Sequence, residues 1–284
     1  MAAYREGTVS SQDGLSLYYR DYGDPLAAST AVLCLGGLTR NSADYAELAL
    51  RLSRGRRVLC PDYRGRGRSA YDTNWRNYDP YVYISDIFHL LAATGIDRAV
   101  IVGTSMGGLL AMGLAVLRPT LVAGVVLNDI GPNVSSPGLT RILKYVGTDY
   151  PQSDWDAAVR FLKELMPNLA PGADDPWWRT HAEATYRKGS DGLLHFDWDV
   201  ALAKPLDHQR QTTPDLWIMF RGLRQVPTLA FRGALSDVLT EDVFQRMALE
   251  KPDLVCVTVP NVGHTPSLSE PQATQALDVF LEPL

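Results

Sequence analysis

One stretch of this chain constrains its fold more than any other. An apolar run begins after Arg98 and ends at Gly-Thr-Ser-Met-Gly-Gly, and a second apolar run follows directly. The first run has the character of a buried strand and the second that of a helix, so Ser105 stands at the corner between them. Gly103 and Gly107 allow strand and helix to approach closely. The pattern predicts a nucleophile elbow, with the serine hydroxyl above the sheet beside a helix N-terminus that favours negative charge.

Strands and helices alternate through most of the chain. Apolar runs predict buried strands at 30–35, 57–61, 98–103, 122–127, 226–232 and 254–259. Helical spacing predicts helices over 43–53, 79–94, 240–250 and 270–281. Residues 4–11 and 15–21 flank Asp13-Gly14, which predicts a hairpin at an antiparallel edge of the sheet. The fold class is therefore α/β, with a mostly parallel central sheet flanked by helices.

The pattern changes in one long segment. Between 133 and 222 the apolar strand runs stop, and five of the six tryptophans occur there. Helical segments are predicted at 139–147, 153–166, 175–188 and 214–222. We therefore expect a core domain made of 1–132 and 223–284, interrupted by a helical cap formed by 133–222.

Composition narrows the class of protein. The 284 residues are 46% hydrophobic and carry a net charge of −5, which gives no reason to expect nucleic acid or a membrane as partner. The N-terminus lacks a signal-peptide pattern, and a cytoplasmic location is expected. Cys34, Cys60 and Cys256 lie in strand-like runs, so we expect three reduced, buried thiols. None has the spacing of a metal site, and neither a metal nor a cofactor is expected.

A serine nucleophile needs a base, and the base needs an orienting acid. Among the histidines, His264 follows a late strand and opens a loop, whereas the others lie in helical segments. It is the predicted base. Asp237 follows the strand at 226–232 and is the predicted acid. Asp129, after the strand at 122–127, is the alternative, because the order serine, aspartate, histidine fits either residue.

Two backbone N–H groups are expected to bind the oxyanion of a tetrahedral intermediate. One belongs to Met106, directly after the serine, and the other to Leu38, after Gly36-Gly37. A Cβ at Gly37 is expected to block the approach of the backbone. Four arginines between 57 and 68 are expected to solvate a tight turn and pair with acids, in preference to forming an anion site.

These motifs together resemble those of the α/β-hydrolase fold family over nearly the whole chain. The family pattern is matched by the elbow at Ser105 and by the segments Asp62–Ser69, Gly233–Asp237 and Val262–His264. The resemblance implies a Ser105–Asp237–His264 triad, an oxyanion hole from Leu38 and Met106, and a helical cap at 133–222. Many relatives have His-Gly where this chain has Gly36-Gly37, which leaves the support of that loop open. A serine at the elbow argues against epoxide hydrolases and haloalkane dehalogenases, which attack with a carboxylate.

The predicted function is that of a serine hydrolase acting on a small carboxylic ester or lactone with an apolar moiety. Five aromatic residues are expected to line the substrate pocket: Tyr71, Trp75, Trp155, Trp177 and Trp198. A second hypothesis is a carbon–carbon bond hydrolase of dienoic ring-cleavage products. It needs a cation for the substrate carboxylate, and the candidates are Arg141, Arg160, Arg179 and Arg187. A third is a non-enzymatic ligand receptor on the same fold. The sequence decides neither the physiological substrate nor the oligomeric state.

Overall fold

The computed structural model describes residues 3–134, 136–208 and 215–284, and an eight-stranded sheet lies at the centre of these residues. Its strands are β1 (Arg5–Ser10), β2 (Ser16–Tyr22), β3 (Ala31–Leu35), β4 (Val58–Pro61), β5 (Ala99–Thr104), β6 (Val122–Asn128), β9 (Thr228–Gly233) and β10 (Val255–Val259). Two short strands, β7 (Tyr186–Lys188) and β8 (Leu194–Phe196), pair separately. The order in the large sheet is β1-β2-β4-β3-β5-β6-β9-β10.

The sheet is mostly parallel, as the sequence predicts. β2 runs antiparallel to both β1 and β4, and the remaining neighbours pair in parallel. All seven residues of β6 are buried, because a parallel sheet is covered by helices on both faces. The carboxyl ends of β5, β6 and β9 lie side by side, and the polar residues that follow them meet at one edge of the sheet.

Ten α-helices occur within the described residues. They are α1 (Ala46–Leu52), α2 (Pro80–Thr94), α3 (Met106–Leu117), α4 (Ser136–Val146), α5 (Trp155–Leu165), α6 (Asp175–Thr185), α7 (Ala203–His208), α8 (Leu216–Arg221), α9 (Glu241–Glu250) and α10 (Pro271–Leu281). One core cluster contains Leu48 of α1 and Leu277 of α10. The other contains Leu90 of α2, Leu110 of α3 and Met247 of α9. The sheet is therefore sandwiched between two layers of helices.

The segment between β6 and β9 contains α4 to α8 and the small β7–β8 sheet. The helix predicted over 175–188 ends at Thr185, and its last three residues form β7 instead. The cause is an Asp191-Gly192 turn, with Gly192 at φ 87°, which closes a hairpin with β8. Residues 135 and 209–214 of the predicted cap lie outside the described residues, as does the side chain of His208.

The segment between β6 and β9, called the cap below after its prediction, is joined to the loop after β4 by backbone hydrogen bonds as well as by the chain. Asp199 N donates to Gly65 O at 2.8 Å, and Gly67 N donates to Asp197 O at 3.0 Å. Between these contacts Arg66 forms an antiparallel β-bridge with Trp198. The loop after β4 therefore contacts the cap through a short set of β-type backbone hydrogen bonds, which hold this side of the cap against the core.

Two expectations about side chains are wrong. Cys34 and Cys60 are buried as predicted, but Cys256 is exposed, because β10 is the last strand of the sheet. Arg64 and Arg66 do not solvate a turn, because neither has any exposed surface. The predicted pairing with acids is confirmed for the rest of the set and for Arg64: Arg57 binds Asp21, Arg68 binds Glu6, and Arg64 binds Asp13, Asp72 and Asp86.

No helix within the three described ranges is long and apolar enough to cross a membrane.

Candidate active site

Ser105 occupies a strained corner between β5 and α3. Its backbone adopts φ 52° and ψ −118°, a region that non-glycine residues rarely occupy. A Cβ on Gly107 would lie 2.0 Å from Leu35 O, and one on Gly103 would lie 2.4 Å from Gly107 O. Only glycine fits at these two positions, so the close approach that the sequence predicts for the elbow is present.

The Ser105 hydroxyl begins a chain of two side-chain hydrogen bonds. Its Oγ lies 2.9 Å from His264 Nε2, and His264 Nδ1 lies 2.6 Å from Asp129 Oδ2. An ionised carboxylate can only accept, so Nδ1 carries the ring proton and the lone pair of Nε2 faces the serine hydroxyl. The three side chains therefore have the geometry of a nucleophile, a base and an orienting acid.

Asp129 is held in place by the loop that follows β9. Its side chain is fully buried and accepts hydrogen bonds from Gly233 N at 2.8 Å and from Ser236 Oγ at 2.6 Å, besides the bond from His264. Its φ is 55°, a left-handed conformation that aspartate tolerates better than most residues. Three donors compensate for the burial of the carboxylate and fix its direction.

The prediction that Asp237 orients His264 is wrong. Both carboxylate oxygens of Asp237 accept from Arg141 on α4, at 2.6 and 2.8 Å. This bidentate ion pair lowers the pKa of Asp237. The carboxyl ends of β6 and β9 are adjacent, so either loop can present an acid to the histidine. In this chain the loop after β6 does so, and Asp237 connects the core to the cap instead.

The two predicted oxyanion donors belong to Met106, directly after Ser105, and to Leu38 in the loop after β3. Neither Met106 N, at the start of α3, nor Leu38 N donates to a protein acceptor within the described part of the chain. A Cβ at Gly37 would lie 3.6 Å from Ser105 Cβ, so this loop runs directly beside the serine. Its nearest neighbour would be Arg40 Cγ at 3.4 Å, which is ordinary contact, and the predicted steric block at Gly37 is therefore wrong.

Several side chains support the loop that contains Gly36 and Gly37. Arg66 Nε donates to Leu38 O at 2.7 Å, and Tyr63 OH donates to Gly36 O at 3.3 Å. Tyr45 OH donates to Leu35 O at 2.7 Å. Each bond fixes a backbone carbonyl between β3 and the first turn after it. Sequence reasoning missed this arrangement, because the three donors lie 10, 27 and 28 positions from the carbonyls that they bind, and no local pattern shows that they meet.

Residues of the cap approach the same loop. Arg40 donates to both carboxylate oxygens of Asp44, and its Nη1 donates to Thr185 Oγ1 at 2.7 Å on α6. One turn earlier, the His181 ring stacks on Trp177 with centroids 5.3 Å apart. Burial and the nearby Arg40 charge lower the pKa of His181 well below its ordinary value, so the imidazole is neutral.

The five aromatic residues predicted to line a pocket are dispersed. Tyr71 and Trp75 lie before α2 and are covered by arginine guanidinium groups, as is Trp155 on α5. Trp177 stacks on His181. Trp198 is 3% exposed, stacks on Phe196 and donates to Val146 O, which leaves it almost no surface for a ligand.

The four arginines suggested for a substrate carboxylate also differ in position. Arg141 binds Asp237 in the loop after β9, the same loop that donates hydrogen bonds to Asp129. Arg179 binds Glu183 on the same helix, and Arg187 lies 3.7 Å from Asp197. The structure gives Arg160 no ion pair within the described residues. Only Arg141 is attached to the loops around Ser105.

Other potential sites are less suited to chemistry. A groove of about 640 Å³ is lined by Phe88, His89 and Arg118 among others, beside the amino ends of β5 and β6. It lies at the edge of the sheet opposite to Ser105. Among the residues that the structure describes, no group of three or more His, Cys, Asp or Glu side chains is arranged to hold a metal ion.

The carboxyl of Asp197, where the cap contacts the core, is expected to make the stability of the protein depend on pH. Burial and repulsion from Asp62 raise the pKa of Asp197 from 3.8 to about 6. At pH values between 3.8 and about 6, the folded state binds more protons at this carboxyl than the unfolded chain does. The free energy of unfolding therefore falls as the pH rises through that range. We expect Asp197→Asn to raise the free energy of unfolding by about 1–3 kcal/mol at about pH 7.5 and by well under about 1 kcal/mol at about pH 4.

Urea denaturation at both pH values measures this difference. The matched control is Asp24→Asn in an exposed turn, where either side chain can accept from Leu26 N. An equal gain in stability for Asp197→Asn at the two pH values would contradict the raised pKa. The gain should come from removing a buried charge, and the folded protein carries that charge only at the higher pH.

Known proteins are similar to this chain in sequence and in architecture. A 3-hydroxybutyrate-oligomer hydrolase from Cupriavidus necator is 33% identical over 265 residues, which cover 89% of this chain and 88% of that protein. A 2-(acetamidomethylene)succinate hydrolase from Mesorhizobium japonicum is 28% identical over 253 residues, covering 88% and 87% of the two chains. The crystal structure of an alpha/beta hydrolase from Novosphingobium aromaticivorans superposes with a TM-score of 0.94 at 42% identity, covering all of both chains.

The family model for the alpha/beta hydrolases matches residues 32–277. This range contains the elbow, the loops that carry Asp129 and His264, and the inserted helical segment. The mostly parallel sheet and its flanking helices agree with that match. The chain therefore belongs to the alpha/beta hydrolase family.

Proposed function

We propose that this protein is a serine hydrolase that cleaves a carboxylic ester through an acyl-enzyme on Ser105. The observation that carries the proposal is the continuous hydrogen-bonded chain from Ser105 Oγ through His264 to Asp129, at 2.9 and 2.6 Å. A serine hydroxyl is a weak nucleophile until an aligned base takes its proton. Here the base is aligned, and its tautomer is fixed by a buried carboxylate.

The reaction uses each of these groups in turn. As Ser105 Oγ bonds to the ester carbonyl carbon, its proton passes to His264 Nε2, and the carbonyl oxygen becomes an oxyanion. The N–H groups of Leu38 and Met106 stabilise that charge. His264 then gives the proton to the departing alcohol as the carbon–oxygen bond breaks. A water molecule, deprotonated by His264, attacks the acyl-enzyme, and Ser105 recovers its proton when the acid leaves.

The relatives support an ester as the scissile group and suggest a second candidate. Oligomers of 3-hydroxybutyrate, named in one relative, are joined by ester bonds. The other relative is named for a succinate that carries an acetamido group, so an acylated dicarboxylate is the second candidate class. A lactone is an internal ester and is compatible with the same steps.

Hydrolysis and active-site labelling test the proposal together. The substrates are p-nitrophenyl acetate and butyrate, linear 3-hydroxybutyrate dimer and trimer, and 2-(acetamidomethylene)succinate. We expect turnover of at least one ester, and loss of that turnover when diethyl p-nitrophenyl phosphate transfers one diethyl phosphoryl group to Ser105, located by peptide mass spectrometry. Full labelling elsewhere in the chain, or undiminished hydrolysis after labelling, would refute the acyl-enzyme. Ligand binding without turnover of any substrate would favour the receptor hypothesis.

A further inference from the structure

Arg66 is a buried cation whose surroundings differ from those of its neighbour Arg64. Both side chains are completely inaccessible to solvent. Arg64 forms ion pairs with three aspartates, at 2.7 to 2.8 Å. Within the described residues, no carboxylate oxygen lies within 4 Å of the Arg66 guanidinium. Since burying an unpaired charge is costly, the position of Arg66 needs an explanation beyond packing.

The guanidinium is held by neutral groups. Nε donates to Leu38 O at 2.7 Å, and Nη1 donates to Arg64 O and to Tyr83 OH, each at 2.8 Å. The Tyr83 ring centroid lies 4.7 Å from the guanidinium carbon, and the rings of Tyr63 and Tyr78 lie within 6 Å. Nη2 is buried without a partner among the described residues. The guanidinium is therefore surrounded by carbonyl oxygens and aromatic faces and has no ion-pair partner within 4 Å among the described residues.

The carbonyl that Arg66 binds belongs to Leu38, whose N–H is a proposed oxyanion donor. The two groups flank the same Cα, so fixing the carbonyl restrains the direction of the N–H. Gly37 O, in the peptide that contains this N–H, accepts from Arg40 N at 3.1 Å. Arg66 is the only charged side chain, among those described, that donates to the Gly36–Leu38 backbone.

We propose that Arg66 is a positioning residue for the oxyanion hole: it holds the Leu38 N–H toward Ser105 and places a positive charge, which no described carboxylate contacts within 4 Å, behind the loop where the oxyanion forms. This inference rests on the proposed serine hydrolysis. Preorganised donors and charges that favour the oxyanion over the neutral carbonyl act on the transition state more than on the bound substrate. The effect should therefore appear in kcat, with KM nearly constant.

The test compares Arg66→Met and Arg66→Lys with Arg57→Met. Arg57 is a mostly buried arginine that pairs with Asp21 and donates to Thr94 O, away from the oxyanion loop. Turnover is measured on the best ester and divided by the concentration of sites that react with diethyl p-nitrophenyl phosphate, which removes any misfolded fraction. A trifluoromethyl ketone, which adds to serine as an oxyanion-bearing tetrahedral adduct, gives an independent inhibition constant.

For Arg66→Met we expect kcat per reactive site to fall about 10- to 100-fold, less than for loss of a whole donor, with the inhibition constant of the ketone rising by the same factor. Arg66→Lys should recover part of both losses because it keeps the charge. Arg57→Met should change neither quantity, although it lowers the melting temperature.

Unchanged kcat and inhibition constant in Arg66→Met would overturn the inference, as would a fall in kcat without weaker ketone binding. If Arg66→Met does not fold, Arg66→Lys decides alone, because it loses the planar Nε donor and should still show a parallel change. These outcomes are separate from the proposed function, which is tested in the unmodified protein by the labelling of Ser105 and the loss of hydrolysis that follows it.

Discussion

Replacing Ser105 with alanine is expected to lower kcat by ~10⁴- to 10⁶-fold while the protein stays folded. The substitution removes only the Oγ that lies 2.9 Å from His264 Nε2, and without it no acyl-enzyme can form. Any remaining rate would come from water attack assisted by the oxyanion donors. Steady-state hydrolysis of the best ester measures the loss.

Two further serine variants sharpen this result. Ser153→Ala removes an exposed hydroxyl in the cap that bonds to Asp154, and it should keep full activity. Ser105→Gly should be as inactive as the alanine variant but more stable by about 1 kcal/mol, because glycine relieves the strain of φ 52°. Activity of Ser105→Ala within tenfold of the unmodified protein would contradict the mechanism.

Replacing Asp129 with asparagine should lower kcat by ~10⁴-fold, whereas Asp237→Asn should retain activity within tenfold. An amide at 129 can donate as well as accept, so it no longer enforces the tautomer in which Nδ1 carries the proton. Asp237 binds Arg141 and is half-exposed, so its replacement weakens one contact between cap and core. Esterase kinetics on both variants, with circular dichroism to confirm folding, compares the two loops directly.

Ser236→Ala provides an intermediate case. It leaves the Asp129 carboxylate in place but removes the hydroxyl that donates to Oδ2 at 2.6 Å. The rest of the support, from Gly233 N, remains. We expect a loss smaller than that of Asp129→Asn. If Asp237→Asn abolished turnover and Asp129→Asn did not, the acid would have to come from the loop after β9 in the working enzyme.

Because the proposed acid lies in the loop after β6, the loop after β9 has a supporting role. The segment 233–237 supplies Gly233 N and Ser236 Oγ as donors to Asp129, and its own acid pairs with Arg141 on α4. A Cβ on Gly138, also on α4, would lie 2.4 Å from Asp237 O, so the helix and this loop are in close contact. The loop thus braces the proposed acid and anchors the first helix of the cap at once.

The sequence by itself determined the features that depend on local pattern. Continuous apolar runs that alternate with helical segments predicted the parallel sheet. The glycines around Ser105 predicted a tight turn between β5 and α3. His264 was separable from the other histidines because it follows a late strand. These inferences hold because strand, turn and helix preferences act over a few residues, and because the carboxyl ends of parallel strands meet at one edge.

Only the tertiary structure decided which distant groups meet there. Asp129 and Asp237 follow adjacent strands, and either fits the order serine, aspartate, histidine. In space they differ, because Arg141 binds both carboxylate oxygens of Asp237. Arg66 belongs to an arginine-rich stretch that looks like a solvated turn, yet it is buried behind the oxyanion loop. Burial and hydrogen-bond partners depend on contacts between residues far apart in the chain, and no local pattern encodes them.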